Sequence, residues 1–229
     1  MPRKPRFFLP GIAVHAIQRG NNRQAVFFDD EDYRVYLHWL KTAAERYDCR
    51  IHAYVLMTNH VHLLITPGAS DSLGRLFQYV GRHYVSYINQ TYQRTGTLWE
   101  GRYKASLIEQ ERYFLTCSRY IELNPVRARM VSLPEHYPWS SYRANGLGED
   151  DSLLTPHQLY QQLAGTEALR QKTYRALFKH HLEADVVETI RVCLQSGTPL
   201  GNDRFRAEVE QALNIKVGHA RRGRPAKQV

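Results

Sequence analysis

Residues 56–65, LMTNHVHLLI, place two histidines inside a stretch that otherwise has the composition of a buried strand. Side chains two apart on a β-strand point to the same face. His60 and His62 therefore stand side by side with Leu64 next in their row, and Val61, Leu63 and Ile65 line the opposite face. The preceding run CRIHAYVLM also reads as a strand, and Thr58-Asn59 between the two is short enough for a tight antiparallel hairpin. Two imidazoles on a stiff support offer a geometry that a metal ion can use. Imidazole suits Zn, Mn, Co and similar ions, and two ligands leave a site incomplete. The pair alone is a weak signal, since satisfied structural histidines are common.

The rest of the chain supplies a frame for that hairpin. IAVHAIQ (residues 12–18) reads as a first strand, followed by the Gly/Asn loop RGNNRQ. DDEDYRVYLHWLKTAAERYD has acidic residues in its first turn and apolar residues at helical spacing, so it predicts a helix. After the hairpin come a second amphipathic helix from Asp71, a loop at TGTLWEG, a fourth strand at RYKASLIE and a third helix at QERYFLTCSRYIEL. The order β-α-β-β-α-β-α predicts an α+β fold with a ferredoxin-like antiparallel sheet. RANGLGEDDS (residues 143–152) reads as a linker. Residues 155–213 read as helical throughout, broken near SGTPLGND. The expected organisation is a domain over 1–148, a helical annex over 149–214 and a basic tail over 215–229.

Charge narrows the partner. The net charge is +9. Residues 1–150 hold 19 Lys and Arg against 14 Asp and Glu, residues 151–214 hold 7 against 8, and residues 215–229 hold 5 against none. A basic first domain and a basic tail around a near-neutral segment fit a polyanion, and nucleic acid is the usual one. No apolar run approaches the roughly 18 residues of a membrane span, and the basic N-terminus precedes no signal-like apolar segment. Cys49, Cys117 and Cys193 are widely spaced and form no CxxC pair, the pattern of buried thiols in a reducing cytosol.

The third helix carries the other reactive group. In SRYIELNPVRA, Tyr120 and Asn124 are four apart and share a face of a continuous helix. A tyrosine beside a metal-bound phosphate makes a workable strand-cleavage site, in which the phenol attacks phosphorus and DNA becomes joined to the protein. A phenol keeps its proton at neutral pH, so a nearby cation would help. Two other readings stay open. Asn124 before Pro125 is also a standard helix-capping pair, and Tyr113, seven residues earlier on much the same face, is a second possible nucleophile among 15 tyrosines. His15, on the first strand, could line the site or contact DNA, but reads more readily as a core or edge histidine. Arg19, Asn21, Asn22 and Arg23 form a polar loop suited to a nucleotide or phosphate. Trp99, Arg102, Tyr103 and Lys104 mix basic and aromatic groups of the kind that grip unpaired bases, although Trp99 could equally plug the core. Arg127 and Arg129 follow the helix as potential phosphate partners. In the tail, Arg221, Arg222 and Arg224 of RRGRPAK suggest minor-groove or phosphate contacts.

Taken together, MTNHVHLLI, IQRGNNRQ, LWEGRYKAS and RYIELNPVRARMV resemble the REP-associated tyrosine transposases, a branch of the HUH single-tyrosine transposases. The resemblance covers about the first 145 residues, with the motifs in the family's order. It implies that His60 and His62 are ligands of a divalent metal, Mg²⁺ or Mn²⁺, and that Tyr120 forms a 5′-phosphotyrosine. Relatives place a polar ligand, usually Gln, one turn after the nucleophile; here Asn124 stands in that place. The implied substrate is single-stranded DNA folded as palindromic hairpins and cut beside a short flanking tetranucleotide, acted on in the bacterial cytoplasm by a monomer or homodimer. The competing expectation is a DNA-binding regulator of such palindromes without catalysis, which would show the same charge distribution.

Overall fold

The structure is a computed structural model, described here for residues 8–216. Strands β1 (Val14–Arg19), β2 (Cys49–Met57), β3 (His60–Pro67) and β4 (Lys104–Leu107) form one antiparallel sheet in the order β2-β3-β1-β4. Helices α1 (Asp30–Arg46) and α2 (Ser72–Thr91) alternate with the strands, and α3 (Gln110–Glu122) follows β4. This is the ferredoxin-like arrangement expected. The hairpin turn falls at Thr58-Asn59.

Strand alternation divides the molecule into two faces. Val14 and Ala16 of β1, with Val61, Leu63 and Ile65 of β3, face α1 and α2 and join an apolar cluster rich in aromatic rings. The α1 start is fixed by a capping box in which Asp29 and Asp32 each accept from the other's backbone amide region. Asp32 also accepts from the Tyr87 and Tyr92 hydroxyls, which ties α1 to α2. The other face carries Ala53, Val55 and Leu64, covered by α3 through Phe114, Cys117, Tyr120 and Ile121. Across β2 and β3 the register slips at His52, leaving it as a bulge whose ring bonds Thr66 Oγ1 at 2.9 Å.

The region after residue 142 departs from the expectation in two ways. Residues 143–152 are folded against the core rather than strung out as a linker. Arg143–Leu147 make a short π-helical turn, Tyr54 donates to Asp151 at 2.8 Å, and the Thr155 amide donates to the Ile51 carbonyl at 2.7 Å. Local Gly and Asn content signals a turn but not whether the turn packs. The helical stretch is also divided further, into α5 (Gln158–Gln161), α6 (Glu167–Leu177), α7 (Ala184–Ser196) and α8 (Asp203–Leu213), after a four-residue α4 (Asn124–Arg127) that continues α3. The break expected near 196–203 is present. Thr166 and Asn202 accept from the Leu169 and Phe205 amides at the starts of α6 and α8, the side-chain caps that mark helix boundaries. Helix α7 contributes Val187, Ile190 and Cys193 to the same cluster as α3, so α3 and α7 together cover the second face.

Candidate functional site

The two histidines lie where the alternation puts them. In the sheet, His60 pairs with Arg19 of β1 and Met57 of β2, and His62 pairs with Ile17 and Val55. Their ring centroids are 5.1 Å apart. On the neighbouring strand His15 also faces this side, and its Nε2 lies 2.8 Å from His62 Nδ1. His60 Nδ1 lies 2.6 Å from Asn59 Oδ1, and Asn59 Nδ2 donates to the Arg23 carbonyl at 2.8 Å. The Gly-Asn loop is therefore tied to His60 through one carboxamide. Gly20 is required there: a Cβ would sit 2.3 Å from the Gln24 carbonyl oxygen and 2.7 Å from Val26.

Tyr120 comes down on this row from α3. It is buried (5 % exposed), with its ring centroid 5.5 Å from that of His15 and 5.9 Å from that of His62. The Arg127 guanidinium lies 4.3 Å from the Tyr120 ring centroid and donates to the Tyr120 carbonyl at 2.5 Å, while its other terminal nitrogen is buried without a partner. Asn124 does not cap α4; its Nδ2 makes a long 3.5 Å contact to the Tyr120 carbonyl. That orientation leaves Oδ1, the atom able to ligate a metal, unused by the helix.

Burial sets the protonation of this cluster. It pushes His60 down to about 4, with Arg19 adding to the effect, and His15 down to about 3, with Arg127 adding. His62 is driven well below the usual histidine range by burial and by the neighbouring His15, His60, Arg127 and Arg19. All three rings are neutral at pH 7. Burial lowers Arg127 to about 10, which still leaves it cationic. Neutral imidazoles are the form that binds metal. Both His60 and His62 have Nδ1 occupied by a second group, the usual support for a ligating histidine whose other nitrogen meets the ion. Among the described residues no three His, Cys, Asp or Glu side chains form a ready ligand set. Two neutral imidazoles, with the unused amide oxygen of Asn124 one turn after Tyr120, are donors of the kinds a divalent cation accepts.

The remaining predicted residues separate into three groups. Arg19 is half-buried, and Asn22, Arg23, Arg102 and Lys104 are exposed, with Asn21 partly so. Lys104 Nζ bonds Gln195 of α7. Trp99 is a correction. It is 5 % exposed, packs with Tyr36 and Tyr84 in the α1/α2 cluster, and cannot stack on a base from there. Arg221, Arg222 and Arg224 lie outside the described residues. Tyr113 has the Arg112 guanidinium 5.4 Å from its ring centroid and, among the described residues, shares no ring contact with the histidines.

One group escaped the sequence reading. Glu122, two residues after Tyr120, is fully buried and accepts from Ser141 at 2.5 Å, Asn145 at 2.9 Å and Tyr174 at 2.7 Å. Burial raises it to about 7, against the opposing effect of those three donors. The only hint in the sequence is a charge on the inward side of an amphipathic helix.

The IS200-like transposase family model matches residues 9–124, just over half of the chain. The chain belongs to that family. No curated protein sequence matches it. Among solved structures, a REP-associated tyrosine transposase bound to a REP hairpin superposes with a TM-score of 0.55 at 18 % identity, covering 69 % of this chain and 99 % of that one. The fold is thus that of the transposase branch to which the motifs pointed. A Deinococcus radiodurans protein assigned as a transposase is 23 % identical over 51 % of this chain and 94 % of its own, with a TM-score of 0.36, too low to add to the fold assignment. No described helix of this family member is long and apolar enough to cross a membrane.

Proposed function

We propose that this transposase is a metal-dependent, single-strand DNA endonuclease and strand-transferase acting on REP-type palindromic hairpins, with its nuclease core in residues 1–148 and the annex as supporting structure. The observation that carries the reading is the meeting of a phenol, a row of neutral imidazoles and a buried guanidinium on one face of the sheet, within one chain.

Tyr120 is the nucleophile. Its oxygen forms the bond to phosphorus as the bond from phosphorus to the 3′ oxygen breaks, leaving a 5′-phosphotyrosine and a free 3′-hydroxyl; the phenolic proton leaves to water and the 3′ oxygen takes one up. Because the phosphodiester energy is retained in the link, reversal by a 3′-hydroxyl rejoins strands. Arg127, cationic over the Tyr120 ring, supplies positive charge beside the reacting group. His60, His62 and Asn124 would hold a divalent cation, Mg²⁺ or Mn²⁺, which when bound stabilises charge on the phosphoryl oxygens. His60 Nδ1 faces Asn59 Oδ1 and His62 Nδ1 faces His15 Nε2, so in the tautomers protonated at Nδ1 each Nε2 lone pair is left for the ion. Arg19, Asn21, Asn22, Arg23, Arg102 and Lys104 contact the DNA backbone, joined by the tail arginines.

The test is a denaturing gel with hairpin oligonucleotides. The parent chain is expected to give a covalent adduct that EDTA prevents, and Tyr120→Phe is expected to bind the hairpin equally well and give none. An undiminished adduct with Tyr120→Phe would move the nucleophile to Tyr113 or another tyrosine.

A further inference from the structure

Asn59, the last residue of the hairpin turn, has both ends of its carboxamide in use. Its Oδ1 lies 2.6 Å from His60 Nδ1, and its Nδ2 donates to the Arg23 carbonyl at 2.8 Å. Its backbone carbonyl also accepts from the Gly20 amide at 2.8 Å. Asn59 thus holds the 20–24 loop by two bonds and His60 by one. The two histidines do not depend equally on such support. His62 is 3 % exposed and is backed by His15 on the next strand. His60 is half-buried at the start of β3, and among the described residues Asn59 is the one hydrogen-bond partner of its ring.

The loop at the other end of the bridge is strained. Asn22 and Arg23 have φ of 51° and 59°, two successive left-handed residues without a glycine. Asparagine tolerates that region, but for arginine it costs energy that the surroundings must supply. The conformation brings the Arg23 carbonyl onto Asn59 and leaves the Asn22 and Arg23 side chains exposed. Beside Arg19, which leads into the loop, a small cleft is lined by Arg19, Arg102 and Lys104 against one carboxylate, Glu100. Its net charge suits a nucleic-acid backbone.

We infer that Asn59 is a positioning residue that couples the single strand flanking the hairpin to the metal. Asn22 and Arg23 hold that strand and so fix the loop. The Arg23 carbonyl fixes the Asn59 amide, and Asn59 Oδ1 accepts from the Nδ1–H of His60, which leaves Nε2 for the ion. Coupling between two sites is reciprocal. A bound metal therefore tightens the grip on flanking DNA by the factor that the DNA tightens the metal. The inference rests on the nuclease reading for both ligands.

The experiment uses full-length Tyr120→Phe chain, so that binding is measured without cleavage. Affinity for a hairpin oligonucleotide with single-stranded flanks, and for the same hairpin made blunt, is read by fluorescence anisotropy in Mn²⁺ and in EDTA. Mn²⁺ affinity of the DNA-free chain is read by calorimetry. Mn²⁺ is expected to tighten the flanked hairpin about tenfold more than the blunt one, within the usual range of coupling between sites. Asn59→Asp keeps an acceptor for His60 but sets a second oxygen against the Arg23 carbonyl. It should retain Mn²⁺ affinity and lose the coupling. Asn59→Ala should lose the coupling and also about 10- to 100-fold in Mn²⁺ affinity. Arg23→Gly suits the left-handed backbone, so it folds readily; it should bind Mn²⁺ as its parent does and show no coupling. A residue that only stiffened the turn would make the Asp and Ala variants weaken Mn²⁺ alike. That result, equal Mn²⁺ effects on the two hairpins in the parent, or coupling that survives in Asn59→Asp or Arg23→Gly, overturns the inference. Adduct formation by the native chain separates the two readings. EDTA-sensitive adducts without coupling sink the Asn59 bridge alone, coupling without any adduct sinks the nuclease assignment alone, and a chain that binds no Mn²⁺ sinks both.

Discussion

The two faces of the sheet are written into the same strands, one residue out of step, and they solve opposite problems. Toward α1 and α2, Val61, Leu63 and Ile65 are fully buried among aromatic rings. The buried charge on that side, Asp32, is met by two backbone amides and two tyrosine hydroxyls. Toward α3 and α7, burial is just as complete, but it encloses His15, His62, Tyr120 and Glu122, and it shifts the protonation of both histidines and of the glutamate. The first face stabilises the fold. The second uses part of that stability to hold groups that water would otherwise charge differently.

Neighbouring substitutions can break this contrast. His60→Ala with His62→Ala should abolish adduct formation at every metal concentration while leaving the melting temperature near or above the parent's, since it removes two desolvated rings. Leu63→Ala, next to His62 in sequence but on the other face, should cost about 2–5 kcal/mol of stability by leaving a cavity, with adduct yield per folded molecule intact. A comparable loss of activity from Leu63→Ala at a temperature where the chain is folded would show that the faces are not separable. His15→Phe keeps an aromatic ring but removes the acceptor for His62, and should weaken Mn²⁺ binding, read by calorimetry, about 10- to 100-fold. Unchanged affinity would reduce His15 to packing.

Protonation gives a gentler probe of the second face. Glu122 is raised in the folded state, so its contribution to stability is complete at acid pH below its unfolded value and is lost as pH rises through about 7. The histidines, lowered in the folded state, act oppositely, and their contribution is lost as pH falls below about 6.5. Comparing Glu122→Gln with the parent isolates the first effect. The parent should lose stability relative to the variant between pH 5 and 8, by on the order of 3 kcal/mol. A constant difference across that range would mean the carboxyl titrates where ordinary ones do. The smallest effect concerns the tail. Deleting residues 216–229 should weaken hairpin affinity and flatten its salt dependence by up to about 4, at 0.7 to 0.9 per lost phosphate contact. An identical slope would make the tail a bystander.

Much of this architecture could be read from the residues, because the controlling signals are local. Period-2 alternation in LMTNHVHLLI put His60 and His62 in one row, the helical spacing of α1 and α2 was unambiguous, and β2 runs Cys49–Met57 as expected. The three-dimensional pairings were not legible. His15 and His62 are 47 residues apart, and the partners of Glu122 lie 19, 23 and 52 residues away. No local pattern distinguishes a histidine that will meet another from one that packs. Trp99 misled for a related reason: Arg and Tyr neighbours resemble a base-gripping surface in sequence, yet its ring turns inward to Tyr36 and Tyr84. The 143–152 segment misled because glycine and asparagine serve a tight packed turn as well as a loose one.

Glu122 has a further consequence, which concerns the order of synthesis. A growing chain that has reached residue 150 already contains His15, His60 and His62, the phenol and the guanidinium, with the whole sheet that aligns them. It has Ser141 and Asn145 for Glu122 but not yet Tyr174, and the second apolar cluster still lacks Val187, Ile190 and Cys193. The contacts that fasten the nucleophile's helix are thus completed only once residues 174–193 have been made, so a product cut short before them would carry all the reagents on a less secured arm.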